Sequence, residues 1–168
     1  MTSSDVLIDA FERVRDAVHP AVNGLSPEAL AFRVDGESNS IAWLVWHLTR
    51  IQDDHVAGLD GSEQAWTSLG WSERFALPFD AADTGYGHGP EDVAMVTADA
   101  ASLLGYFEDV HDKTKAFVRS LADADFGRVV DRNWDPPVTL GVRLVSVLAD
   151  DLQHVGQAAL VRGILQQQ

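Results

Sequence analysis

Apolar residues recur at three- and four-residue intervals along four separate stretches of the chain, which is the signature of amphipathic helices. Residues 4 to 24 place Val6, Leu7, Ala10, Phe11, Val14, Ala17 and Val18 at helical spacing behind a Ser4 or Asp5 cap, with Pro20 expected to kink the last turn. Ser26 followed by Pro27 predicts a short turn of helix before the loop "VDGESNS". A second helix is predicted from about Ser40 to Gly58, "IAWLVWHLTRIQDDHVAG" after the serine, and its first half is apolar nearly all round, as a buried helix is. Residues 59 to 89 set Trp66, Trp71, Phe75, Phe79 and Tyr86 among Gly, Ser, Asp and Pro, a composition of packed irregular chain with one short helix, placed to cover something. Pro90 and Glu91 open a third long helix running to about Leu121, and "ADADFGRVVDRNWDPPV" links it to a fourth, capped by Thr139 and ending near Leu165. No stretch alternates long enough to predict a strand. The pattern predicts an all-α four-helix bundle over residues 1–168, a single domain with a partly irregular connection between helices 2 and 3.

Composition narrows the partners. Twelve Lys and Arg against 26 Asp and Glu give a formal net charge of -14, which disfavours nucleic acid and anionic lipid as partners. No apolar run approaches the roughly 20 residues that span a bilayer, and the N-terminus lacks a basic and an apolar leader region; no membrane association and a cytoplasmic location are expected. With no cysteine, a transition metal has only His, Asp and Glu to bind.

The polar residues inside the helices are the candidates for chemistry. At about 100° per residue the apolar centre of the fourth helix falls on Leu144, Leu148, Leu152, Val155 and Ala159, with His154 at its edge. Asp150 lies one turn before His154, and Asp151 on its other side; either can share a site with it. An i,i+4 carboxylate and imidazole offer two ligands to a divalent ion, yet the same spacing also describes an ordinary helix-surface salt bridge. His47 tips the balance, because it sits in the most apolar part of the chain, where a polar ring needs a hydrogen-bond partner or a metal. A bundle that brings His47 opposite Asp150 and His154 supplies two imidazoles and one carboxylate, the three-ligand set that leaves coordination positions open for water or substrate. Asp54, two turns beyond His47, reads as solvated, Gln157 as a candidate to orient a ligand, and His19, His55, His88 and His111 as surface residues. Trp43, Trp46, Trp66 and Trp71 suit core packing or the wall of a pocket.

Two segments, "SIAWLVWHLTRIQDDHV" (40 to 56) and "LADDLQHVGQAALVRG" (148 to 163), resemble the DinB/YfiT-like four-helix bundles, in particular the actinobacterial branch grouped with mycothiol-dependent enzymes, and with the helix order the resemblance spans essentially the whole chain. In that family a histidine of the second helix and an H-x-x-x-H pair near the chain end bind a divalent metal; His47 and His154 match two of these, and Asp150 stands where the third is usually histidine. The resemblance implies a zinc or nickel ion held by His47, Asp150 and His154, with the metal activating a small-molecule thiol such as mycothiol for transfer to, or isomerisation of, an electrophilic substrate. Arg50, one turn from His47, heads a set with Arg74, Arg143 and Arg162 that can clamp a carboxylate of thiol or substrate, and Asp151 is a candidate support for the ligands. The alternatives are a non-catalytic metal-binding or stress-response bundle and a metal-free helical interaction module. Bundles of this kind pair through helix faces, and the apolar third helix is the candidate face for a homodimer.

Overall fold

The computed structural model describes residues 1–167. Four long helices form the bundle: α1 (Ser3–Val22), α3 (Ile41–Asp60), α7 (Ala100–Ser120) and α8 (Leu140–Leu165). Four short helices lie between them: α2 (Pro27–Leu30) and, between α3 and α7, α4 (Ala65–Ser68), α5 (Trp71–Phe75) and α6 (Pro90–Met95). α1 and α3 each pack against both α7 and α8, so α1 faces α3, and α7 faces α8, across the bundle diagonals.

The long helices start where a side chain can accept the free N–H groups of the first turn. Ser40 does this for α3, Asp99 for α7 and Thr139 for α8, while the cap of α1 is not Ser4 or Asp5 but Thr2, two residues before the earlier of them, which exchanges hydrogen bonds with Asp5 in a capping box. Pro20 sits in the last turn of α1, which continues to Val22. At Gly61 the backbone turns left-handed (φ 74°) and stops α3.

Three expectations need correction. The third helix is not continuous from Pro90: the chain leaves helical geometry at Val96 and re-enters at Ala100, after the extended cap Asp99, so α6 and α7 are separate. The linker after α7 holds a 3₁₀ turn (Asp123–Gly127) and a small antiparallel ladder of β1 (Val129–Asp131) with β2 (Val138–Thr139), pairings too short to show as alternation. The apolar residues of α7, including Leu103, Phe107, Val110 and Val118, are buried in the core, so α7 presents no apolar face for a partner.

The core surrounds α3, whose residues from Ile41 to Arg50 are all buried. Trp46, Trp66, Trp71 and Phe75 fill the space between α3, α7 and the α4–α5 segment, each contributing on the order of 2–3 kcal/mol by leaving water. A smaller cluster of Leu7, Phe11, Val56, Phe117, Leu140, Leu144 and Val147 closes the far end.

Candidate metal centre

Helices α3 and α8 run side by side and bring together residues about a hundred positions apart. His47, Asp150 and His154 each present one ligand atom within 4.8 Å of the others, and the two imidazole rings stand edge to face with centroids 4.9 Å apart. Helical periodicity explains the pairing on α8, since Asp150 and His154 are one turn apart and Nε2 of His154 lies 3.5 Å from Oδ1 of Asp150.

The outer nitrogen of each ring is already occupied. His47 donates from Nδ1 to the carbonyl of Thr84 at 2.6 Å, and His154 donates from Nδ1 to Oε1 of Gln157 at 3.0 Å. With each Nδ1 engaged, Nε2 is the ring atom left to bind an ion, and on His154 it faces Asp150. Oδ2 of Asp150 is buried with no hydrogen-bond partner. Two imidazoles with their distal N–H groups tied and a carboxylate oxygen without a partner fit a divalent ion.

Burial holds the His47 imidazole below its ordinary range and so neutral, against the opposing effect of the Thr84 carbonyl. Burial raises the Asp150 carboxyl, but the hydrogen bond and charge of His154, with His47 and His55 behind it, outweigh this and keep it ionised. The hydrogen bond to Asp150 in turn raises His154.

A loop that the sequence leaves without a role secures His47. Thr84 and Gly85 lie against the His47 ring, and Gly85 adopts φ 85°, where a Cβ would stand 2.8 Å from Trp46 and 2.9 Å from Nδ1 of His47. Only glycine fits there. Oδ1 of Asp83 accepts the N–H of Gly85 at 2.7 Å, an Asx turn that sets the bend. His88 accepts from Nε1 of Trp43 at 3.1 Å and donates to Oδ2 of Asp83 at 3.1 Å, while Trp43 stacks on His47 with centroids 4.5 Å apart. The signal for this loop in the sequence is "DTGYGH", an Asx-turn pair with two glycines inside an aromatic-rich stretch.

Arg50 is not a clamp for ligand: its side chain is fully buried and donates to the carbonyls of Asp83 and Ala81 and to Oε1 of Gln64. With Asp53, which accepts from the N–H groups of Ala65 and Trp66 and from Tyr106, it bolts α4 and the loop onto α3. Asp151 points into the bundle core, fully buried, with neither carboxylate oxygen hydrogen-bonded, so it forms no salt bridge and touches no ligand group. Gln157, the candidate to orient a ligand, lies one turn beyond His154 with its Oε1 at 3.0 Å from Nδ1 of that ring. Asp54 is not free in solvent but accepts from Gln64 at 2.8 Å. His88 and His111 are buried rather than superficial, and His55 is half-buried. His19 keeps its place near the surface, paired with Glu108.

Two cavities meet at His55. One, of about 300 Å³, lies beside Asp150 and is walled by Ile51, His55, Tyr86, Ser146 and Gln153. The other, of about 540 Å³, lies beyond His55 and is lined by Asp54, Asp131, Asn133 and Arg143, the arginine paired with Asp131 at 2.9 Å. Burial and the neighbouring Arg143 charge keep the His55 ring neutral.

The comparisons bear on the fold and the family. A protein from Enterococcus faecalis, described as the conserved protein of a locus, has a crystal structure that matches with a TM-score of 0.91 and 29% sequence identity, over 100% of this chain and 99% of that one. No curated protein matches the sequence. The family model of the DinB superfamily matches residues 10–158, which include His47, Asp150 and His154, and the chain belongs to that superfamily.

Proposed function

We propose that the protein holds a divalent metal ion, zinc or nickel, on His47, Asp150 and His154, and uses it as a transferase or isomerase dependent on a low-molecular-weight thiol such as mycothiol. The observation that carries the metal assignment is the pair of imidazoles whose Nδ1 atoms are both engaged, facing a carboxylate oxygen that has no other partner. Two nitrogens and one oxygen suit zinc or nickel, and three protein ligands leave positions for a small molecule. A bound divalent ion with an open position lowers the pKa of a coordinated thiol enough to hold it as thiolate at neutral pH.

Three features of the chain support the thiol. It has no cysteine of its own, so a thiolate nucleophile would have to come from a bound molecule. The cavity beside Asp150 is at the lower end of the size range of small-molecule sites. His55, neutral and on the wall between the two cavities, is placed to take or return a proton as the bound molecule reacts.

Metal analysis of untagged protein grown in metal-replete medium tests the first part. One equivalent of zinc or nickel is expected in the wild type and well under a tenth of that in His47→Ala and His154→Ala; a metal-free wild type overturns the site. Incubating the loaded protein with mycothiol and a panel of electrophiles tests the second. Metal-dependent conjugation or isomerisation is expected, and stoichiometric metal without turnover assigns the protein to the non-catalytic, metal-binding reading.

A further inference from the structure

The loop that supports His47 also carries the most exposed aromatic ring of the chain. Tyr86 is 89% exposed, whereas Tyr106, the other tyrosine, is fully buried. Exposure of a single ring is ordinary, but the mounting of this one is not. The N–H of His88 donates to the carbonyl of Gly85 at 3.2 Å and Gly87 has φ 82°, which makes a type II turn with Tyr86 and Gly87 as its central pair.

Both ends of this turn are fixed. Gly85 lies against Trp46 and His47 with no room for a Cβ. The His88 ring accepts from Trp43, reaches Asp83, and packs on Trp46 and Phe79 with centroids 5.9 and 4.6 Å apart. The buried Arg50 holds the carbonyls of Ala81 and Asp83. A backbone tied at these points leaves Tyr86 only its own side-chain torsions, so little freedom is lost when a molecule packs on the ring. The fold itself makes no use of the ring, which stands outside both apolar clusters of the core.

Tyr86 borders the cavity beside Asp150. Ile51 from α3 and Val147 and Ala149 from α8 give that cavity aliphatic walls, and Asp150 joins it to the metal centre. A molecule attached to an ion on His47, Asp150 and His154 can therefore extend between aliphatic side chains and an aromatic ring. The charge of the centre narrows what that molecule presents to the ring. Tyrosine faces attract cations, but a divalent ion on one carboxylate and two neutral imidazoles leaves the centre positive, and an ammonium group beside it is repelled. An uncharged planar body gains from the ring and from the aliphatic walls alike.

We infer, building on the metal and thiol reading above, that Tyr86 is the specificity-determining residue of the metal centre, a fixed wall on which an aromatic or conjugated part of the bound molecule packs. The contact belongs to the ring and not to its hydroxyl.

Two tyrosines, one buried and one exposed, make the test direct. Full-length, zinc-loaded protein labelled with 3-fluorotyrosine is expected to give two fluorine resonances, and Tyr86→Phe identifies the exposed one by removing it. Phenylmethanethiol is expected to shift the Tyr86 resonance and leave that of Tyr106 in place. By calorimetry its affinity is expected to fall about tenfold in Tyr86→Ala and to stay within about twofold of wild type in Tyr86→Phe, while 2-mercaptoethanol and 2-aminoethanethiol bind all three proteins alike to within about twofold. Zinc content and melting temperature of Tyr86→Ala are expected to match wild type, because the ring lies outside the core. A Tyr86 resonance that does not move at saturation, an equal loss of 2-mercaptoethanol, or a loss confined to 2-aminoethanethiol each overturns the assignment. So does a Tyr86→Ala that loses its zinc, which makes Tyr86 a support of His47 instead. A wild type without zinc, or a loaded one that binds none of the three thiols, removes the reading beneath this one and this one with it; undiminished binding of phenylmethanethiol by Tyr86→Ala removes this one alone.

Discussion

Asp150 and Asp151 are neighbours in sequence, turned about 100° from one another on α8, and they meet opposite surroundings. Asp150 faces two imidazoles and stays ionised, whereas burial, with the charge of Asp150 added, pushes the Asp151 carboxyl well above its usual range and keeps it neutral. Asp151 therefore holds a proton in the fold that an unfolded chain loses above about pH 4. Stability gained from that proton is present below pH 4 and lost as the pH rises toward the folded value. Asp151→Asn, which has the same shape and no charge to suppress, is expected to melt near the wild-type temperature at pH 5 and several degrees higher at pH 8, with metal content unchanged. Asp150→Asn is expected to show the opposite pattern in calorimetry and metal analysis, with little change in the melting of metal-free protein and at least a tenfold loss of metal affinity; equal metal loss at both positions would remove the distinction between them. Protons also compete with the ion. Because Asp150 raises His154, metal affinity measured against a chelator is expected to fall as the pH is lowered, starting while still above the ordinary imidazole range, about tenfold per unit, and to steepen only further down where His47, depressed by burial, takes its own proton. The gathering of these three side chains was legible in the sequence as a candidate site, because a histidine amid "LVWHL" and an i,i+4 Asp–His pair fall on faces that a helical bundle can bring together. The environment of Asp151 was not, since a helical wheel shows only angle, and the angle of the core seam depends on which of the two apolar faces of α8 turns inward.

Helix α8 shows why that choice was ambiguous. The projection centred its apolar stripe on Leu144, Leu148, Leu152, Val155 and Ala159, but Leu152 is 46% exposed and Ala159 lies outside, while Val147, Asp151 and Ala158 are in the core. With apolar residues on two faces, the average direction falls between them. Helix α3 was read nearly to its ends because its serine cap and its run of large apolar residues leave no alternative. The α3–α7 connection was legible as a packed cover, not as the support of His47, because that role depends on backbone atoms: the Thr84 carbonyl and the N–H of Gly85. Backbone contacts leave no residue type to recognise, and the break at Val96 was equally hidden by the good helix formers around Asp99. Gly85→Ala tests the support directly. The added methyl cannot be placed between Trp46 and His47 at a positive φ without moving the loop, so metal affinity is expected to fall some 10–100-fold, as for lost outer contacts of other metal ligands, with circular dichroism of the bundle near that of wild type. Unchanged affinity would show that Thr84 does not orient His47.

Across the whole molecule the acidic residues are spread over surfaces that also carry ion pairs. Arg15 and His19 meet Glu108, Lys115 meets Glu12, Arg13 meets Asp9 and Arg143 meets Asp131, pairs that are at least partly solvent-exposed and each worth at most about 1 kcal/mol. They engage only a few of the 26 carboxylates, and the remaining excess of negative charge is compressed when the chain folds. Repulsion at this scale acts on every fold-forming contact at once and is relieved by counter-ions, whose screening length falls from about 30 Å at 0.01 M salt to about 3 Å at 1 M. Two opposing effects of salt can thus be weighed against each other: loss of local pairs, which destabilises, and relief of net repulsion, which stabilises. With so few pairs and a net charge of -14, relief should win. Raising NaCl from 10 to 500 mM is expected to raise the melting temperature of the protein at low micromolar concentration by a few degrees at pH 7.5. A fall instead would mean that the surface pairs hold the bundle together more strongly than the charge imbalance strains it.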